Sequence, residues 1–86
     1  MTLDYADVTY SEELLWGAIY DIVPNFKIAR ESGAAIFAPT ALMAALLNFF
    51  VERETGRLGA SKIASGEILL RAYEDISQNG AFNYVQ

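Results

Sequence analysis

Hydrophobic and polar positions along the chain divide it into three helical stretches separated by short connectors. Thr9 and Glu12 stand in capping-box spacing, with Ser11 as an alternative cap, so a helix is predicted over 10–23, ending before Pro24. Leu15, Ala18, Ile19 and Ile22 recur at helical spacing and form its inward stripe, while Trp16 and Tyr20 share the side that carries Glu12 and Glu13. Residues 32–51 are twenty uncharged positions in a row. Pro39 divides that run and suits the first turn of a helix, where its missing N–H costs nothing. The helix is predicted over 39–55, with Gly56 as its stop. A third helix is predicted over 66–78, with Ser65 as its cap and Ile68, Leu69, Ala72, Tyr73 and Ile76 as its stripe.

The segments between are less regular. Phe26 and Ile28 alternate with Lys27, and Ser32-Gly33 reads as a turn, so a small β-hairpin near 26–37 is expected. A short helix over 26–31 competes with it. Ala81 to Val85 alternates again, as an edge strand or an ordered extended tail would.

These readings predict a mainly α single domain over 1–86, a small bundle of three principal helices. The expected core is Leu15, Ile19, Ile22, Leu42, Leu46, Leu47, Phe50, Leu69 and Ile76. On the central helix the large side chains, among them Met43 and Phe49, are assigned to the core. The opposite face, with Ala41, Ala44 and Ala45, is assigned to a lightly covered surface. A close helix contact in a homodimer is its alternative reading. The strongly apolar part of this helix, 41–51, is roughly 16 Å long at 1.5 Å per residue. That is too short for a bilayer core of about 30 Å, so no membrane partner is expected.

Composition removes several function classes. The chain has neither cysteine nor histidine. Disulfides, Cys or Cys/His zinc sites, and Ser-His-Asp or Cys-His nucleophile systems therefore cannot be built. No catalytic, cofactor or metal motif emerges, and the expectation is a non-enzyme without cofactors. Zero cysteines are compatible with a cytoplasmic location.

The net charge of −5 is unevenly placed. Asp4, Asp7, Glu12, Glu13 and Asp21 fall in the first quarter, which has no Lys or Arg, whereas all six basic residues lie between Lys27 and Arg71. A chain of this balance is not expected to bind nucleic acid directly, because phosphate binding needs a basic surface. A helix-turn-helix reading of 53–78 fails for the same reason: its recognition helix would set Glu67, Glu74 and Asp75 against one Arg71. Acyl carrier proteins are similar in size and charge, but their Asp-Ser-Leu motif is missing here.

The candidate site is an acidic-aromatic cluster: Asp4, Tyr5, Asp7, Tyr10, Glu12, Glu13, Trp16, Tyr20 and Asp21. Glu12, Trp16 and Tyr20 are spaced i, i+4, i+8 and share one helix face. Aromatic residues with a polar handle anchor interfaces, and the carboxylates among them would meet Lys or Arg. The expected partner is a protein with a basic surface. The alternative is that Trp16 and Tyr20 are covered by residues 25–38 or by the tail. In size and charge the chain is similar to small acidic inhibitors of nucleic-acid machinery, such as phage anti-defence proteins. A structural protein that forms a homo-oligomer through the central helix is the second functional reading.

Overall fold

The computed structural model describes residues 5–85. After a 3-10 turn, Tyr5–Asp7, four helices follow: α1 Glu12–Ile22, α2 Asn25–Glu31, α3 Ala38–Glu54 and α4 Ala60–Asn79. The three expected helices are α1, α3 and α4. The hairpin expected near 26–37 is not formed, and no strand occurs among the described residues. Its first half is the competing short helix, α2. Pro24 occupies the N-cap position of α2 with helical dihedrals, so the chain re-enters a helix directly after α1 stops. Three residues of alternation, Phe26 to Ile28, fit a strand and a helix equally, and Pro24 tips the balance.

Local signals set most helix ends. Ser11 caps α1, its Oγ accepting a hydrogen bond from the Leu14 N–H at 3.1 Å. Tyr10 and Leu15, either side of the cap, take the positions of a hydrophobic staple and are both fully buried. Pro39 sits in the first turn of α3, and Gly80 ends α4 with a left-handed φ of 71°.

The start of α4 departs from expectation. Ser65 and Gly66 do not open the helix; α4 begins at Ala60 and runs through both. Gly66 is buried, and the Phe49 ring of α3 lies on it so closely that a Cβ there would meet ring atoms at 2.1 to 2.5 Å. A glycine that costs about 1 kcal/mol in a helix interior is kept where no side chain fits.

α4 packs along α1 and against α3, and α1 also touches α2 and α3. Leu15, Ile19, Leu42, Leu46 and Leu69 are buried as expected, and Ile22 and Ile76 pack at the core margin. The face assignment of α3 is corrected. Ala41 and Ala45 are fully buried beside Leu42, whereas Leu47 is 68% exposed and Phe50 37%. The packed stripe runs through Ala41, Leu42, Ala45, Leu46 and Phe49 and so takes part of each assigned face, while Ala44 is half-buried and Asn48 exposed. The fold measures 41 × 31 × 19 Å, and its thinnest dimension is about two helix diameters, so one side of α3 faces outward. No helix among the described residues is long and apolar enough to cross a membrane.

Candidate functional site

An open cleft of about 860 Å³ lies between α1, α2 and the C-terminal tail. Four of the nine sequence-derived residues line it: Glu12, Glu13, Trp16 and Tyr20. The i, i+4 spacing along α1 places Trp16 and Tyr20 side by side, with ring centroids 6.0 Å apart. Glu12 and Glu13 stand exposed at the rim, in the first turn of α1, where carboxylates also complement the helix dipole.

The opposite wall is basic and was not part of the expected site. Lys27 and Arg30, three residues apart on α2, both line the cleft. The Arg30 guanidinium carbon lies 3.7 Å above the Trp16 ring, and Nη1 donates a hydrogen bond to the Tyr20 hydroxyl. Trp16 also packs with the buried core and is only 8% exposed. The alternative reading of these two aromatics, coverage by residues 25–38, describes Trp16 correctly; Tyr20 is half-buried. The i, i+3 pair of cations after a proline was the signal for this wall, and the competing hairpin reading obscured it.

The third wall is the tail. Tyr84 and Val85 line the cleft, and behind them the half-buried Tyr84 and Phe82 rings stack at 5.5 Å. Val85 N–H donates to the Tyr10 carbonyl at 2.8 Å, which holds the tail across the base of α1. Burial raises the Tyr84 phenol above its ordinary value, and the Glu12 carboxylate raises it further.

The remaining predicted residues lie elsewhere. Tyr10 is a core residue whose hydroxyl donates to the buried Asp75 carboxylate of α4, 65 residues away. Arg71 pairs with the same carboxylate at 2.9 Å, and the Asn83 N–H donates to it at 3.2 Å. Burial and the Asp75 carboxylate push the Tyr10 phenol well above its usual range. Asp21 turns toward α4 and accepts hydrogen bonds from Ser65 at 2.8 Å and Ser61 at 3.3 Å. Tyr5 and Asp7 belong to the 3-10 turn, which packs on α4, and do not line the cleft. Asp4 lies outside the described residues. Among the described residues no group of three or more Asp and Glu is placed to hold a metal ion.

Comparisons with protein-family models, with curated proteins and with solved structures returned no significant match.

Proposed function

We propose that this chain is a non-catalytic protein-binding domain that takes an arginine-containing basic segment of a macromolecular partner into the α1–α2 cleft. One observation carries the reading: the aromatic pair already holds a guanidinium, that of Arg30 on Trp16. Flat stacking plus a hydroxyl acceptor is chemistry that suits arginine in general, whichever chain supplies it. Glu12 and Glu13 stand beside this cradle, and neither forms an ion pair among the described residues. They are the carboxylates an incoming cation would meet first. Arg30 is itself exposed and on a seven-residue helix, so it can swing away and cede its place. Where the partner's basic segment is its nucleic-acid-binding surface, the domain acts as an inhibitor by occupying it.

The test is a titration with a short Arg-Gly repeat peptide, using a Glu-Gly repeat as control, on wild type and Arg30→Ala. Arg30 competes for the site, so its removal should tighten binding. A cation–π contact worth about 0.5–2 kcal/mol corresponds to roughly 2- to 30-fold. Reversing Glu12 and Glu13 to lysine should weaken the binding, most at low salt. If neither protein binds the basic peptide at low salt, the reading fails.

A further inference from the structure

A second surface, independent of the cleft, lies on the outer side of α3. Leu47, Val51, Met43 and Phe50 of α3 and Tyr73 of α4 are exposed at 68, 64, 51, 37 and 44%. Together they present on the order of 500 Å² of mostly apolar surface, at the upper end of what a monomer shows. Between them runs a groove of about 230 Å³, with Leu46 and Leu70 in its floor and walls. No charged residue lines it.

We propose that this face is a homodimer interface, two copies meeting through α3 about a twofold axis near Leu47. The face holds both halves of a self-complementary contact. Leu47 projects from it as a knob, and the groove beside Leu47 is large enough to receive a leucine side chain. A twofold interface requires one patch that carries knob and hole together, since each copy presents the same surface to the other. The groove is uncharged, so pairing it with itself sets no like charges at its centre, and the Arg53 guanidinium, 5.0 Å from the Phe50 ring, stands at the edge of the patch. Burying it on both copies removes about 1,000 Å² of accessible surface, the threshold for a specific contact, so the dimer is a weak one. The alanine face of α3 is not available for this role, because Ala41 and Ala45 are already buried within the fold.

Sedimentation equilibrium of the full chain, from about 10 μM to about 1 mM, tests the proposal across the range expected of a weak dimer. Two copies of net charge −5 repel each other, so added salt should strengthen the dimer. Binding of a basic peptide to the cleft should weaken with salt, which separates the two surfaces. Leu47→Glu should be monomeric at every concentration with an unchanged circular dichroism spectrum, because the side chain is outside the core. Val51→Glu provides a second disruption on the same face. A wild type that stays monomeric throughout overturns the proposal, even if the groove takes up an apolar dye. So does a dimer that persists in a folded Leu47→Glu variant.

Discussion

The Phe49 ring occupies the space where a side chain on Gly66 would begin, with Cε1 2.1 Å from that position. Phe49 is itself buried, so the ring has little room to withdraw. Alanine at 66 would gain up to about 1 kcal/mol of helix propensity. Overpacking a filled core typically costs about 1–3 kcal/mol. Gly66→Ala is therefore expected to lower stability overall in urea denaturation. Coupling it with Phe49→Leu should recover part of that loss, since the two residues contend for one space. A Gly66→Ala variant more stable than wild type would rule out the close contact.

Neighbouring leucines on α3 should behave oppositely. Leu46 is 3% exposed and Leu47 68%. Leu46→Ala should cost about 2–5 kcal/mol, which can abolish folding in a domain of this size. Leu47→Ala should stay within about 0.5 kcal/mol in dilute solution. Equal costs would mean that α3 is rotated about its axis relative to this structure.

The Tyr10–Asp75 hydrogen bond predicts sensitivity to base. The folded-state pKa of Tyr10 is raised above its unfolded value of about 10. The native state thus retains a proton that the unfolded chain releases. The associated stability is complete below about pH 10 and is lost as pH rises above it. Tyr84 shifts in the same direction and adds to the effect. Tyr10→Phe should cost about 1.5–3 kcal/mol at neutral pH, the range for a bond to a charged acceptor. It should also flatten the alkaline slope, as read from melting temperatures between pH 8 and 11. An unchanged slope in Tyr10→Phe would show that other groups set the base limit.

Trp16 reports on the cleft. Under Arg30 its fluorescence should be blue-shifted and weakly quenched by acrylamide. Arg30→Ala should move the emission to the red and raise quenching without altering the helical content. No change would mean that other groups cover the ring.

Glu12 and Glu13 stand at the rim of the cleft, and rim charges act mainly on association rate. Their reversal to lysine should slow capture of a basic peptide and flatten its salt dependence. Trp16→Ala should instead speed release, because a buried aromatic contact sets residence time. Stopped-flow measurements at two ionic strengths separate these effects, and an association rate untouched by the double reversal would place the encounter surface elsewhere.

Helical class, the stop before Pro24, the start near Pro39 and the ends at Gly56 and Gly80 were legible from the sequence. Each depends on residues within one turn of the boundary. The i, i+4 line of Glu12, Trp16 and Tyr20 was legible for the same reason. Tertiary structure alone decided the rest. α3 is apolar nearly all round, so its pattern carries no direction. Its orientation came from packing against α1 and α4, which buries Ala41, Leu42, Ala45, Leu46 and Phe49 and leaves Met43 and Leu47 outside. The continuation of α4 through Gly66 depended on a ring from another helix. The cleft's basic wall and the Tyr10–Asp75 bond join residues 14 and 65 positions apart, Trp16 with Arg30 and Tyr10 with Asp75. Neither pairing leaves a periodic trace, because the partners share no helix and meet only once the chain has packed.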